Sequence, residues 1–274
     1  MNIISANVNE QQTAAAFSKQ SEIFDAIYSD NIIIQYKRKR VRDHVNQFLA
    51  PNSTILELNS GTGEDAIWFA QMGHQVHATD IATAMQKTLI EKVENAGLTN
   101  KISHELRSFT ALDQLKQEGP YDLVFSNFAG LNCTGELDKV LQSLPPLLNP
   151  GGIATLVILP PFCLWETLLA LKGDFKTAFR RTFSRKGVTA HLEGKYFTCW
   201  YYRPSYIINQ LKDKMEVLRV EGLCTIVPPS YLERFPQKRP KLYRFLTNLE
   251  NRWKSVWPWK YIGDYYIISL RKKN

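Results

Sequence analysis

Two spacings of apolar residues alternate along this chain, and they predict helices and strands in turn. Between residues 14 and 50 apolar residues recur every three or four positions, which indicates two helices. From residue 55 onward, short apolar runs bounded by turn residues alternate with further helical stretches. The predicted strands are Ile55–Leu58, Gln75–Thr79, Ile102–Leu106, Asp122–Ser126, Ile153–Leu159, Met215–Val227 and Tyr265–Leu270. This order predicts an α/β fold with a Rossmann-like, doubly wound sheet of seven strands, mostly parallel, with helices on both faces.

The alternation of predicted strands and helices stops at Pro160–Pro161, where about forty residues rich in aromatic and basic side chains begin. We expect residues 1–50 to form an N-terminal helical cap and residues 51–274 to form the main domain, with a lid inserted at about residues 160–203. The opening MNIISANVNEQQTAAAFSKQ has no basic start followed by an apolar block, so it predicts a short disordered lead-in and no secretory signal. In the second helix, the basic run Lys37–Arg40 is expected on a solvated face.

Composition places the chain among ordinary globular proteins. Of its 274 residues 44% are hydrophobic, which is enough to fill a core. No apolar run reaches the roughly 18 residues of a transmembrane helix. The four cysteines are scattered without a C-x-x-C pair, so we predict no metal site, no disulfide framework and a reducing, cytoplasmic location.

The net charge of +8 is concentrated in two aromatic and basic stretches, at residues 160–202 and 234–254. Solvated helix faces, or basic side chains whose stems cover apolar surface, account for them in the simplest way. They are also compatible with single-stranded nucleic acid or with an interface for a lipid-like or membrane-held substrate. The apolar residues among them favour a lid over a hydrophobic or aromatic substrate.

The stretch ILELNSGTGEDAI, at residues 55–67, predicts a strand, a glycine turn and a helix. Its glycines fit the G-x-G-x-x-G/A pattern that holds a dinucleotide, whose pyrophosphate lies on the helix N-terminus. Glu57, Glu64 and Asp65 surround the turn here and would repel a phosphate. The turn therefore suits a ligand with a cationic part and no phosphate, such as S-adenosylmethionine.

Three features support that ligand. Gly61 and Gly63 let the backbone approach it without a Cβ in the way. Glu57 can reach its ammonium group. Asp80 lies 23 residues after Glu57, at the end of the next strand, where a carboxylate accepts hydrogen bonds from a ribose.

With these residues the sequence resembles the class I S-adenosylmethionine-dependent methyltransferases, closely over residues 17–160 and loosely beyond. ELNSGTGEDA followed by ATDIATAM is similar to bacterial small-molecule members and, broadly, to the quinone-biosynthesis methyltransferases. Asn59 stands where the family has its first glycine, and asparagine tolerates a positive φ better than other non-glycine residues. The resemblance implies that the last strand lies antiparallel beside the fifth.

The resemblance also assigns expected roles to individual residues. Asp80 binds the ribose hydroxyls, and Ile81 and Met85 lie against the adenine or ribose. Ser108 and Phe109 stand where members contact the adenine. The full set of expected cofactor-binding residues is Tyr28, Tyr36, Glu57, Asn59, Ser60, Gly61, Thr62, Gly63, Asp80, Ile81, Met85, Ser108, Phe109, Asn127 and Phe128. Ordinary helix packing explains Tyr28 and Tyr36 equally well.

The sequence constrains the methyl acceptor less than the cofactor. Residues 126–130 read SNFAG and lack the N/D-P-P-Y run of enzymes that methylate exocyclic amines. The predicted acceptor is therefore a small or lipid-like molecule that is methylated at oxygen or carbon. An RNA methyltransferase and a binding module that has lost the cofactor remain alternatives. If the insert covers the cofactor, His191 is a candidate general base; a surface or structural role is the alternative. The sequence leaves the oligomeric state open.

Overall fold

A seven-stranded sheet forms the centre of the computed structural model, which describes residues 5–182 and 186–274. The strand order is β3-β2-β1-β4-β5-β9-β8, and β6 and β7 form a separate antiparallel hairpin. The strands are β1 Thr54–Leu58, β2 Gln75–Asp80, β3 Ile102–Leu106, β4 Tyr121–Ser126, β5 Leu148–Ile158, β6 Val188–Leu192, β7 Lys195–Cys199, β8 Met215–Leu223 and β9 Tyr265–Lys272.

Helices cover both faces of the sheet and its carboxyl edge, the edge at which β1, β2, β4 and β5 end. They are α1 Ala6–Ser29, α2 Ile32–Val45, α3 Glu64–Gln71, α4 Thr83–Asn95, α5 Leu137–Leu147, α6 Leu164–Thr167, α7 Phe175–Phe179, α8 Pro204–Leu211, α9 Phe235–Lys238 and α10 Pro240–Trp253. Within the described residues, none of these helices has the length and apolar character needed to cross a bilayer.

The topology confirms the predicted fold class. Strands β1 to β5 pair in parallel, whereas β9 runs antiparallel to both of its neighbours, β5 and β8. Strand β9 therefore lies beside the fifth strand, as the family resemblance implied. Alternate residues of β1 face opposite sides: Ile55 packs with Phe69 and Phe125 on one face, and Leu56 packs in the cluster on the other.

Helix α1 corrects the prediction for the N-terminus. The helix begins at Ala6, after the Ser5 cap, in the stretch predicted to be a disordered lead-in; residues 1–4 of that stretch lie outside the described residues. Its partners are distant in sequence: Phe17 packs on Phe197 of the hairpin with ring centroids 5.9 Å apart, and Asn9 Nδ2 donates to the carbonyl of Cys133 (2.7 Å). Tertiary packing of this kind supplies most helical stability, and local pattern does not report it.

Most of the basic run of α2 is buried, whereas the sequence predicted a face exposed to solvent. Lys37, Arg38 and Arg40 are 2%, 5% and 3% exposed, and only Lys39 reaches solvent freely. The expectation of a solvated face is therefore wrong for three of the four residues. Charged groups are buried at low cost only when paired, and their carboxylate partners here are Asp65, Glu221, Glu250 and Asp264.

Glu250 of α10 joins three elements through its carboxylate. It accepts hydrogen bonds from the backbone N–H groups of residues 224–227, at 2.8 to 3.0 Å. It also accepts from Arg40 Nη1 and from the Tyr36 hydroxyl, each at 3.2 Å. This buried carboxylate holds the turn after β8 against α2 and α10.

Acid is expected to destabilise the fold through His44 and Glu221, whose side chains are fully buried and adjacent. Burial lowers the pKa of His44, so the unfolded chain takes up a proton at a higher pH than the folded chain does. Burial opposes ionisation of Glu221, but hydrogen bonding to His44 and the charges of His44, Lys254 and Arg40 lower its pKa to about 2. Stability is therefore expected to fall as the pH drops below about 6.5, and further below about 4.5.

Urea denaturation at a series of pH values measures this effect. In His44→Asn the decline between about pH 6.5 and 5 should be smaller than in the native protein. An unchanged decline would show that other groups, such as the buried His74 and His77, cause it.

Candidate active site at the carboxyl ends of the strands

A cavity of about 880 Å³, counted with the solvent space into which it opens, lies at the carboxyl ends of β1, β2 and β4. Open α/β sheets bind their ligands at the carboxyl ends of their strands. Eleven of the residues expected from the sequence line it. They are Glu57, Asn59, Ser60, Gly61, Thr62, Asp80, Ile81, Met85, Phe109, Asn127 and Phe128.

Two further expected residues, Gly63 and Ser108, adjoin residues that line the cavity in sequence but do not line it themselves. Gly63 has φ +80° and precedes the first turn of α3, and a Cβ there would lie 2.8 Å from Leu89 Cγ. Gly63 therefore permits the close approach of α3 and α4. The hydroxyl of Ser108 donates to Glu10 Oε1 at 3.0 Å, so the structure engages Ser108 with α1.

The remaining expected residues are not brought to the cavity. The hydroxyl of Tyr36 donates to Glu250, and its ring lies 6.4 Å from that of Tyr243, both on the far side of α2. His191 lies exposed on β6, where its ring is 4.7 Å from that of Tyr196. Tyr28 belongs to α1, but its side chain lies outside what the structure describes.

Asn59 occupies the first glycine position of the turn and takes a positive φ of +48°. Its side chain joins two loops: Nδ2 donates to the carbonyl of Asn127 (2.9 Å), and Oδ1 accepts from Ser126 Oγ (2.5 Å). On its other side, a Cβ on Gly130 would lie 2.3 Å from Asn59 Cγ. The asparagine thus preserves the turn and binds it to the end of β4, and Gly130 makes room for it.

Asp80 holds the turn from the second strand. Its Oδ2 accepts from the backbone N–H of Gly61 (2.9 Å) and its Oδ1 from that of Ala82 (2.8 Å). Burial raises the pKa of Asp80, and these backbone donors oppose the rise. Gly61 itself has φ +56°, and no described residue has an atom within 4 Å of where a Cβ would be, so its backbone faces open space.

The three carboxylates around the turn differ in their partners. Glu64 pairs with Lys92. Asp65 accepts from Arg38 Nη1 (3.1 Å) and Arg42 Nε (2.9 Å). Burial would raise the pKa of Asp65, but the two arginines and a hydrogen bond from Asn127 hold it below its usual value. Two of the three negative charges are therefore neutralised by the chain itself.

Glu57 is the carboxylate that retains an unsatisfied oxygen. It is 3% exposed, and within the described part of the chain no donor lies within hydrogen-bond distance of its Oε2. Burial, followed by the charge of Asp65, raises its pKa well above the usual value. An unpartnered buried carboxylate is costly, so this group is matched to a donor or cation that arrives with a ligand.

The loop after β4 and helix α2 form the adjacent wall. Phe128 and Ala129 have φ values of +49° and +62°, a strained conformation that clusters at functional sites. The guanidinium of Arg38 lies 4.9 Å from the centre of the Phe128 ring and lines the cavity beside Asp65. Sequence reasoning missed Arg38, because it stands in the basic run Lys37–Arg40, which resembles an ordinary solvated helix face.

Helix α1 belongs to the segment predicted to form an N-terminal helical cap, and it covers the cavity with residues that were not among the expected site residues. Thr13, Phe17 and Phe24 of α1 are among the lining residues. Near the end of α1, Asp25 Oδ1 accepts from Thr62 Oγ1 of the glycine turn at 2.6 Å. This hydrogen bond ties the cover directly to the turn that the sequence identified.

A second group of acids lies apart from the cavity. Cys163, Glu166 and Asp264 are buried and close enough together to hold a metal ion. Arg181 lies between two of them, with Nη2 2.5 Å from Glu166 Oε1 and 2.8 Å from Asp264 Oδ1. The guanidinium supplies the positive charge of this cluster, which joins the insert to the end of the β8–β9 connection.

Comparison with known proteins identifies a domain within the chain. A family model described as a methyltransferase domain matches residues 55–152. Those residues form a class I S-adenosylmethionine-dependent methyltransferase domain. A ubiquinone/menaquinone biosynthesis C-methyltransferase from Pectobacterium carotovorum subsp. carotovorum is 32% identical over 104 residues, covering 37% of this chain and 40% of the relative. A tRNA 5-carboxymethoxyuridine methyltransferase from Escherichia coli is 24% identical over 224 residues, covering 80% of this chain and 79% of the relative.

A solved structure matches nearly the whole chain. The (4+2)-cyclase SpnF aligns with a TM-score of 0.65 at 14% identity, covering 97% of this chain and 96% of that one. At this identity the match shows the fold alone, and fold does not imply function. The chain spans between 4% and 46% of the length of five curated relatives. The acceptor therefore has to be argued from the site itself.

Proposed function

We propose that this protein transfers a methyl group from S-adenosylmethionine to a small or lipid-like acceptor, at oxygen or carbon. The observation that carries the proposal is the buried, unpartnered Glu57 Oε2 beside the open glycine turn. When bound, S-adenosylmethionine supplies an electrophilic methyl group on a sulfonium. Its methionyl end also has an ammonium group, which a lone buried carboxylate fits.

The other residues of the cavity suit the remaining parts of the cofactor. Arg38 offers a guanidinium to the methionyl carboxylate, a pairing that its planar donors favour. Each oxygen of Asp80 already accepts one backbone N–H, and a carboxylate has further lone pairs for the ribose hydroxyls. Met85 and Phe109 supply apolar surface for the adenine.

An apolar acceptor is supported by the aromatic side chains of the cavity. Phe17 and Phe24 approach from α1, and Phe128 approaches from the loop after β4. Transfer to such an acceptor depends mainly on holding the nucleophile in line with the methyl group. The exposed His191 is not positioned to act as a base in this cavity, so alignment and exclusion of water by α1 carry the proposed chemistry. We place the enzyme in the cytoplasm, where its four free thiols are stable.

Binding of S-adenosylhomocysteine to Asp80→Ala tests the proposal. The variant loses the acceptor for Gly61 N–H and the expected ribose contact, so we expect affinity to fall by about 10- to 100-fold. Isothermal titration measures the change, and Asp113→Ala, which removes an exposed aspartate near the same edge, is the matched control. Absence of binding by the native protein, or unchanged binding by Asp80→Ala, would contradict the assignment. Labelled cofactor offered with quinols, phenols and acids then identifies the acceptor class.

RNA is the second candidate acceptor, because the tRNA methyltransferase from Escherichia coli matches 80% of the chain. An RNA substrate predicts an affinity for single-stranded RNA that falls steeply as salt is added. Absence of such binding at low salt would remove this candidate.

A further inference from the structure

The connection between β5 and β6 exposes a stripe of apolar side chains. Leu168 is 42% exposed and Leu171 84%, both on the short 3-10 helix of residues 168–172, and Phe175, which is 62% exposed, begins α7 after Gly173. Lys172 and Lys176 each follow a member of the stripe and are exposed. On soluble proteins, large contiguous patches of exposed apolar side chains mark sites that interact with proteins, membranes or ligands.

The connection between β8 and β9 repeats this combination. On α10, Leu242 and Phe245 are 46% and 60% exposed, and beyond its end Trp257 is 75% exposed. Residues 234–260 contain eight basic residues and one acid, Glu250, which is buried in its own hydrogen-bond network. The opposite side of α10 is occupied, because Tyr243 and Glu250 face α2.

Both connections leave the sheet on the same side, where the carboxyl ends of β5 and β8 lie. Strands β5 and β8 are both antiparallel to β9, so they are parallel to each other and end at the same side. The two connections also touch: the backbone N–H of Leu164 donates to the carbonyl of Ile262 (2.9 Å). We call the exposed apolar and basic side chains of residues 168–180 and 238–257 the carboxyl-edge surface.

We propose that the carboxyl-edge surface docks onto an anionic phospholipid bilayer. Basic side chains beside Leu, Phe and Trp are the composition of interfacial membrane-binding segments. Acids are few on this surface: Asp174 caps α7, and Glu166 is buried against Arg180 and Arg181. Nucleic acid fits less well, because single strands bind by stacking on aromatic rings, and Leu168, Leu171 and Leu242 have no ring to offer.

The consequence is access to acceptors held in lipid. The cofactor cavity lies at the carboxyl ends of β1, β2 and β4, the same edge of the sheet. A docked molecule would hold this edge at the bilayer, so a lipid-like acceptor would not have to cross water. The docking itself needs no cofactor and is independent of the proposed reaction.

Co-sedimentation of the full chain with vesicles tests the docking. We expect binding to phosphatidylcholine vesicles that contain phosphatidylglycerol, weak binding to phosphatidylcholine alone, and weaker binding as salt rises from about 0.1 to about 1 M. The double variant Leu171→Asp/Phe175→Asp should lose about tenfold or more in partitioning, since each exposed side chain contributes its apolar burial. Met72→Asp is the matched control, because Met72 is 56% exposed at the opposite edge of the sheet and should leave binding unchanged.

Several outcomes would overturn the proposal. These are no binding to anionic vesicles at low salt, equal loss in Met72→Asp, or a dimer seen by light scattering that Leu171→Asp/Phe175→Asp dissociates. Binding of single-stranded RNA that this double variant abolishes, without vesicle binding, would assign the surface to nucleic acid. Unchanged melting temperature and S-adenosylhomocysteine affinity in the variants separate docking from folding and from the cofactor site.

Discussion

Replacing Glu57 with glutamine is expected to weaken S-adenosylhomocysteine binding by about 100-fold or more while making the ligand-free protein more stable. Glutamine keeps the shape of the side chain but removes the charge that would pair with the ligand's ammonium group, and losing one partner of a buried ion pair costs about 3–5 kcal/mol. Without ligand, the same charge is a liability, because Glu57 is buried with an unpartnered oxygen near Asp65. Removing it should stabilise the fold by about 1–3 kcal/mol.

The pH dependence of that gain follows from the raised pKa of Glu57. A carboxyl with a folded pKa above its unfolded value destabilises the fold above the unfolded pKa of about 4.5 and is neutral in both states well below it. The stability gain of Glu57→Gln should therefore be present at pH 7 and shrink as the pH approaches 4. Titration calorimetry and thermal melts of both proteins measure the two effects.

Glu94→Gln, an exposed change on α4, is the control for Glu57→Gln and should alter neither quantity. A lower melting temperature in Glu57→Gln would mean that Glu57 is a structural group rather than a ligand for a cation. Unchanged affinity would remove the main support for the cofactor assignment.

Replacing Glu250 with alanine is expected to cost about 3–5 kcal/mol in the free energy of unfolding. The carboxylate accepts from four successive backbone N–H groups and from Arg40, and its loss leaves that buried cation with fewer partners. Glu250→Gln should be intermediate, since its NH₂ group cannot accept a hydrogen bond. Urea denaturation measures both variants.

The exposed Glu233 provides the comparison for this second experiment, and Glu233→Ala should change stability by less than about 0.5 kcal/mol. A loss below about 1 kcal/mol in Glu250→Ala would show that water or a rearranged side chain satisfies the turn after β8. The network would then contribute specificity of packing rather than stability.

Much of the sheet and of the glycine turn could be predicted from the sequence. Buried parallel strands are short apolar runs, and turns between them require residues that tolerate positive φ, so both leave local signatures. Asn59 illustrates this, because its identity alone indicated the positive φ that the structure has. Glu57 and Asp80 could be recognised as site residues for the same reason, because each lies at the end of a strand that the sequence predicts.

The first turns of α1 and the burial of the α2 charges could not be predicted in this way. Lys37, Arg38 and Arg40 form a charged run that resembles any solvated helix face. Their burial depends on carboxylates such as Glu221 and Glu250, which follow Arg40 by 181 and 210 residues. The sequence left two roles open for Tyr36, cofactor contact and helix packing, because its partner Glu250 lies 214 residues away.

The sequence by itself determined the α/β sheet, the glycine turn and the acids at its strand ends, because these depend on the backbone needs of neighbouring residues. Only the tertiary structure decided which of those acids is left without a partner among the residues that the structure describes. Glu64 and Asp65 are neutralised by Lys92, Arg38 and Arg42, and Glu57 is not. Pairing over such distances is a property of packing, because the energy of a charge is set by the groups that surround it in space.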